Sequence, residues 1–306
     1  MNAVVQEPFT PARDPAQHLL HVPYTRAAGT RYVGVTDGVI SLRQPFRGAV
    51  ADAASGAIDQ RAITALLDHA CGVAVYTTLA EAAPTATREL RIAFPQAAAA
   101  GEDVVCEASI AHADAALAVV NATVRGAQSG RLVATGSGCF IVGAHPGQGP
   151  GKKLADPWHS TSPAIAHAAA AGAADFASFA QFLGVRNLPE PSGGAVELVF
   201  QPHLVGAVSL PALHGGATAA ALASAAHACM AAQAYTVAKA GMAVSGKPAP
   251  RLASISIQYQ RAGQAKALTA RARIEKQGGR TSNLSISATQ DDGARVVATA
   301  QCVFLI

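Results

Sequence analysis

Two patterns of hydrophobic and polar positions recur along the chain. Apolar and polar residues alternate in short stretches such as Val39–Leu42 and Leu268–Ile274, which is typical of half-buried β-strands. A long stretch of alanine and other small residues at 217–238 instead predicts a helix. Turn residues at Gln277–Arg280 and Asp291–Gly293 predict hairpins between the last strands. Each half of the chain is therefore predicted to form a short helix, two strands, a long helix and three alternating strands.

The two halves repeat one another at a nearly constant distance. Gly29 and Gly184 are 155 residues apart (184 − 29), and the same offset carries Asp59 onto His214, so the starts of the two long helices coincide. Later the offset grows to 165 and then to 164, pairing two further strands, 90–94 with 255–259 and 132–135 with 296–299. Because the correspondence is sustained over a whole domain, it indicates a duplication.

A long helix among antiparallel strands predicts an α+β fold in which a sheet wraps the helix. The duplication predicts two such domains, at 18–143 and 161–306, after an N-terminal tail at 1–17. The segment between them, 144–160, opens with a series of glycines and prolines that sustains neither helix nor sheet. It is predicted to be a linker.

Composition places the chain among globular proteins. Half of its 306 residues are hydrophobic and only 14% are charged, which excludes a disordered chain. The 23 basic and 19 acidic side chains give a net charge of +4 without a dense basic run. This balance argues against nucleic-acid binding as the main function.

Cysteine and N-terminal patterns predict a cytoplasmic protein. The five cysteines are an odd number without C-x-x-C spacing, so we expect buried reduced thiols, with a disulfide or a metal site as the alternatives. No metal site and no cofactor is predicted. Residues 1–16 lack the apolar core of a signal peptide. The helix at 217–238 is mostly alanine and contains His227, which predicts an amphipathic or buried helix and no membrane association.

The strongest candidate for chemistry is the sequence His214-Gly215-Gly216 at the start of the second long helix. Two glycines leave the first N–H groups of a helix uncovered by any Cβ atom. These groups lie at the positive end of the helix dipole, where a polarised ligand oxygen can approach. The motif is therefore predicted to supply one half of an active site.

Together with the duplication, this motif resembles the hotdog-fold thioesterases of the phenylacetic-acid-degradation type, known as PaaI-like. Their signature is a His-Gly-Gly helix start followed by an Asp or Glu nine residues after the His. Leu213–Gly216 resembles the first part, and 62–72 resembles the helix that carries the acid, here Asp68. The resemblance covers nearly all of 20–306 and implies a double hotdog, two hotdog domains in tandem, that hydrolyses acyl-CoA.

Each half departs from the family signature in a complementary way. The first half has Asp59-Gln60-Arg61 in place of His-Gly-Gly, and the second half has Ala223 in place of the acid. Gly215 and position 223 are eight residues apart, about 12 Å along one helix, which is too far for both to reach one thioester carbon. The acid must come from another helix, and the family that this chain resembles pairs the glycine amide of one subunit with the acid of its partner. A single composite site that combines Gly215 with Asp68 is therefore expected, and the opposite pairing of Gln60 with Ala223 should be inactive.

The resemblance also implies a role for each residue of this site. The N–H of Gly215 would stabilise the thioester oxyanion, with Gly216 beside it, and Asp68 would act as a general base or as a nucleophile. Thr87 occupies the position where relatives often place a hydroxyl near the water, and it would orient the water or the acid. Its counterpart in the second half is Leu252. His214 could take part directly or serve only as a hydrogen-bonding group at the helix start. Arg280 could reach a phosphate of CoA or be merely solvated.

Other functions remain compatible with the sequence. Many relatives carry an Asn or Gln before His-Gly-Gly as a second donor to the carbonyl, whereas this chain has Gly206–Ser209 there. A non-catalytic acyl-CoA-binding or regulatory protein is therefore the first alternative. A hotdog hydratase is the second, although the sequence shows no loop with the Asp and His that it needs. The acyl group and the pairing of two double hotdogs into a homodimer are left open.

Overall fold

A computed structural model describes residues 14–16, 19, 22–78, 85–143, 175–190, 193–207, 212–239 and 249–306. The predicted linker at 144–160 and almost all of the predicted tail at 1–17 lie outside these residues. The elements of the first half are α1 (Pro23–Ala28), β1 (Arg31–Thr36), β2 (Val39–Gln44), α2 (Gln60–Thr78), β3 (Thr85–Ala93), β4 (Val104–Ala113), β5 (Leu117–Gly126) and β6 (Leu132–Val142).

The second half repeats this order. Its elements are α3 (Phe179–Leu183), β7 (Val185–Asn187), β8 (Ala195–Leu198), β9 (Val205–Ala207), β10 (Ala212–Leu213), α4 (Gly215–Lys239), β11 (Arg251–Tyr259), β12 (Leu268–Gln277), β13 (Thr281–Gln290) and β14 (Arg295–Leu305). Within the part of the chain that the structure describes, four strands follow the long helix in each half, not the three expected from the sequence. Strands β9 and β10 form a small separate ladder just before α4.

In the described residues, twelve strands form one antiparallel sheet that joins the two halves, in the order β1-β2-β4-β5-β6-β3-β11-β14-β13-β12-β8-β7. The two central strands, β3 and β11, pair through Leu90 with Ile257 and Ile92 with Ile255. The 165-residue offset carries Leu90 onto Ile255 and Ile92 onto Ile257, so it exchanges one pair with the other. It carries Arg91 onto its own partner Ser256, and this pair therefore marks a local pseudo-twofold axis. The α+β double hotdog predicted from the sequence is confirmed.

The short helices end in the same way in both halves. Gly29 and Gly184 adopt the left-handed conformation, with φ of 78° and 68°, and their N–H groups bond back to carbonyls of the helix. An L-residue rarely adopts this conformation, which explains why glycine occurs at both positions. Helix starts at Gln60 and Gly215 reproduce the predicted 155-residue offset.

The sheet buries alternate residues against the two long helices. Strand β2, for example, places Ile40 and Leu42 in the core, with half-buried residues between them. Helices α2 and α4 also pack directly on one another. This contact brings the N-terminus of each helix beside the middle of the other, and so positions the candidate site. No helix in the described residues is long and apolar enough to cross a membrane.

Candidate functional site

His214 closes the first turn of α4 as a helix cap. Its Nδ1 accepts a hydrogen bond from the N–H of Gly216 at 2.9 Å, and its carbonyl accepts from the N–H groups of Ala217 and Thr218. Asp59 caps the start of α2 in the same way. Its carboxylate accepts a hydrogen bond from the N–H of Arg61, two residues later, at 2.8 Å. His214 and Asp59 are therefore equivalent caps at the starts of α4 and α2.

The two glycines after His214 are required by close approaches from α2. A Cβ on Gly216 would lie 2.6 Å from Cα of Ala65, so this glycine lets the helices pack backbone to backbone. A Cβ on Gly215 would lie 2.7 Å from Oδ2 of Asp68. No group in the described ranges accepts a hydrogen bond from the N–H of Gly215. That donor remains available beside the carboxylate.

Asp68 is a buried carboxylate, with 5% of its surface exposed, in the middle of α2. Burial raises its pKa from 3.8 to about 6, although hydrogen bonds from the Thr87 hydroxyl and the Gly216 N–H act in the opposite direction. Thr87 Oγ1 donates to Asp68 Oδ1 at 2.9 Å. The register of β3 shifts between Thr87 and Glu89, a bulge immediately beside the hydroxyl that contacts the acid.

The structure thus brings together four predicted site residues, Asp68, Thr87, Gly215 and Gly216, from two helices and a strand. His214 lies beside them, with Nδ1 at 4.0 Å from Oδ2 of Asp68. Because Nδ1 already accepts the Gly216 N–H, the neutral ring carries its proton on Nε2. The hydrogen bond at Nδ1 is that of a helix cap, and both roles that the sequence leaves open for His214 stay open.

Three further residues surround the site and were not among the predicted ones. Nδ1 of His69 lies 3.3 Å from Nε2 of His214, and the ring of Tyr24 stacks on the His214 ring with centroids 4.5 Å apart. The hydroxyl of Tyr259 donates to the carbonyl of Gly215 at 3.1 Å. The duplication could have indicated all three, because each differs in chemistry from its counterpart in the other half. It pairs His69 with Ser224, Tyr24 with Phe179 and Tyr259 with Phe94.

The pseudo-equivalent site, between Gln60 and Ala223, is filled by its own side chains. The guanidinium of Arg61 forms an ion pair with Asp59, with Nε at 2.9 Å from Oδ1, and donates to Ser224 Oγ at 3.2 Å. Gln60 donates to the carbonyl of Leu252 at 3.2 Å. No carboxylate occupies the position of Ala223, and Leu252 replaces the hydroxyl of Thr87. This second location therefore lacks the pairing of acid and free amide.

The structure does not bring Arg280 to the candidate site. Arg280 precedes Thr281, which pairs with Leu305, and Leu305 pairs with Arg251 at the start of β11. Tyr259, which contacts the site, lies at the other end of β11, eight residues or about 26 Å away. Arg280 thus lies towards the Gln60 side of the molecule, away from Asp68 and Gly215, and its contact with a CoA phosphate stays a prediction.

The region expected to hold a second carbonyl donor is only partly described. Gly206 lies on β9, and a Cβ there would be 2.7 Å from Cα of His214, so the backbone packs directly against the helix start. Residues 208 and 209 are outside the described residues. In the described part of this region, no side-chain amide replaces the missing donor.

Comparison with family models identifies thioesterase domains in both halves. Residues 62–133 match the model described as the thioesterase superfamily. Residues 206–305 match the model described as the acyl-CoA thioesterase N-terminal domain. No curated protein matches the sequence. The two matched segments contain Asp68 and Gly215 respectively.

Solved structures with the same fold align over nearly the full chain. A protein assigned as a thioesterase from Novosphingobium aromaticivorans is 15% identical, with a TM-score of 0.58 over 90% of this chain and 98% of that one. The TesB protein of Mycobacterium avium subsp. paratuberculosis is 13% identical, with a TM-score of 0.57 over 95% and 99%. The 12:0-ACP thioesterase from Umbellularia californica is 10% identical, with a TM-score of 0.56 over 89% and 95%. At these identities the likeness shows a shared fold.

Proposed function

We propose that this pair of tandem thioesterase-superfamily domains, folded as a double hotdog, hydrolyses an acyl-CoA at one composite site. The observation that carries the proposal is the approach of the Asp68 carboxylate in the first half to Gly215 in the second half. A buried acid beside a backbone donor at a helix N-terminus suits attack on a carbonyl. The acyl-CoA thioesterase model matched by 206–305 supports CoA as the carrier.

The reaction follows from the positions of these groups. The thioester oxygen would accept a hydrogen bond from the Gly215 N–H, which stabilises the negative charge that develops on it. Asp68 would take a proton from water as the water oxygen attacks the carbonyl carbon. The C–S bond then breaks, and the proton returns to the thiolate of CoA, giving a carboxylic acid and free CoA. Direct attack by Asp68, followed by hydrolysis of the anhydride, uses the same contacts.

The environment of Asp68 is suited to this proton transfer. A pKa of about 6 leaves the carboxylate mostly ionised at neutral pH, yet makes it a stronger base than an exposed Asp. Thr87 holds one carboxylate oxygen and leaves the other beside Gly215. The His-Gly-Gly start of α4 and an acid nine positions along the equivalent helix support the PaaI type within the superfamily.

The test is an assay of thiol release over short, medium, long and aromatic acyl-CoA substrates. We expect turnover by the native protein, and Asp68→Asn should abolish it while retaining binding. A titration with a non-hydrolysable acyl-CoA analogue should give one bound molecule per chain. Turnover with none of these substrates would refute the hydrolase, and two sites per chain would refute the single composite site.

A second function is favoured by one feature, the absence of a side-chain amide donor in the described part of the segment before His214. Loss of one oxyanion donor costs about 10²-fold in rate. A protein that binds acyl-CoA without hydrolysing it would retain the fold and the helix N-terminus. Binding of the analogue to the native protein, with no thiol release from any substrate, would identify this alternative.

A further inference from the structure

The peptide that joins Gly215 to Gly216 is held at both of its polar ends. Its carbonyl accepts the hydroxyl of Tyr259 at 3.1 Å, and its N–H donates to Nδ1 of His214 at 2.9 Å. Two consecutive glycines have more backbone freedom than any other pair of residues. The preceding peptide, which carries the Gly215 N–H, is held through the His214 carbonyl. Gly215 therefore lies between two held peptides, and the hydroxyl of Tyr259 keeps this flexible residue from rotating about ψ.

The pseudo-equivalent peptide, between Gln60 and Arg61, is held differently. Its N–H bonds to Asp59, but its carbonyl accepts from Thr64 Oγ1 at 2.9 Å, a residue of its own helix. The counterpart of Thr64 in α4 is Ala219, which has no hydroxyl, and the counterpart of Tyr259 is Phe94, which has none either. A hydroxyl thus holds this carbonyl in both halves, but only in the composite site does it come from the sheet.

We infer that Tyr259 is a positioning residue that orients the Gly215 N–H towards the thioester oxygen, acting through the Gly215–Gly216 peptide. The inference rests on the proposed hydrolysis at this site. Tyr259 is buried at the end of β11 and does not need to touch the substrate.

The hydroxyl of Tyr259 is suited to act as a donor. Burial, and then the negative charge of Asp68, raise its pKa well above the usual value, so it keeps its proton throughout the working range. The charged groups that face it are Asp68 on α2, whose charge acts on the hydroxyl, and Arg88 on β3, whose guanidinium donates to the backbone carbonyl of Tyr259. Its carbonyl partner cannot titrate.

The test is the substitution Tyr259→Phe, which removes a single oxygen. Phenylalanine already occupies the equivalent position 94, so the fold accommodates this ring without its hydroxyl. We expect kcat to fall about tenfold, as for the loss of one hydrogen bond, with KM within twofold of the native value. Amide hydrogen exchange at Gly216, whose N–H is hydrogen-bonded to His214, should accelerate. Tyr32→Phe, a half-buried ring on β1, is the matched control and should change neither kcat nor this exchange.

The possible results separate this inference from the proposed function. An unchanged kcat in Tyr259→Phe overturns the inference, and so does a loss of activity through KM and thermal stability alone. If the native protein releases no thiol from any substrate, the proposed function fails. Amide hydrogen exchange alone then decides whether Tyr259 holds the peptide. An unchanged exchange rate at Gly216 in Tyr259→Phe refutes it.

Discussion

Asp68 and Gly215 lie 147 positions apart in the sequence (215 − 68), yet a Cβ added to Gly215 would come within 2.7 Å of the Asp68 carboxylate. Each belongs to a different domain, and neither domain holds both groups. The contact depends on the packing of α2 against α4, which places the N-terminus of one helix beside the middle of the other. The chain therefore needs both halves to assemble one acid and one amide donor.

Substitution of Gly215 should abolish this arrangement. In Gly215→Ala the new methyl group collides with Oδ2 of Asp68 and displaces either the carboxylate or the helix start. We expect kcat/KM to fall at least about 10²-fold, with a stability cost of about 1–3 kcal/mol for the overpacked contact. The matched control is Gln60→Ala at the equivalent position of α2, which should leave thiol release unchanged. Equal activity in both variants would argue against a role for the Gly215 amide.

Asp68 should destabilise the protein at neutral pH. Its pKa is about 6 when folded and 3.8 when unfolded, so the folded state binds more protons between these values and stability falls as pH rises through them. The destabilisation by Asp68 vanishes below pH 3.8 and reaches roughly 3 kcal/mol above pH 6, at 1.36 kcal/mol per pKa unit.

Asp68→Asn removes this penalty, and its effect on stability can be measured by denaturant unfolding. The variant should be more stable than the native protein at pH 7.5, by up to about 3 kcal/mol, and the difference should shrink towards pH 4. A variant that is inactive but equally stable at both pH values would show that burial does not perturb the acid. This trade of stability for activity is common at catalytic sites.

Thr87 should tune the acid limb of the pH–rate profile. Its hydrogen bond to Asp68 Oδ1 favours the ionised carboxylate, so Thr87→Val should raise the pKa of Asp68 and move the limb to higher pH. The rate at neutral pH should drop about tenfold. Thr87→Ser keeps the hydroxyl and should retain the native profile. A Val variant with an unshifted limb would mean that Thr87 does not act on the acid.

Much of this organisation could be predicted from sequence because the two halves can be compared position by position. The 155-residue offset located both helix starts and paired Asp68 with Gly215 across the helices. Tyr259 escaped prediction because an aromatic residue on a strand is usually part of the core, and only the register reveals that its hydroxyl reaches a helix carbonyl. The position of Arg280 could not be predicted for a related reason. A hairpin can be located from its glycines, but the end of the sheet at which it lies depends on the pairing of three long strands.

The filled site at Gln60 and Arg61 should matter for stability and not for catalysis. The Arg61 and Asp59 side chains are 17% and 5% exposed, so the loss of one partner leaves a nearly buried charge. We expect Arg61→Met to cost about 3–5 kcal/mol, measured by denaturant unfolding, while kcat of the folded enzyme stays at the native value. Asp59→Asn in the same chain should recover part of the loss, because no charge is then stranded. A drop in kcat with full stability would instead assign the Arg61 side to the reaction, and the single composite site would have to be abandoned.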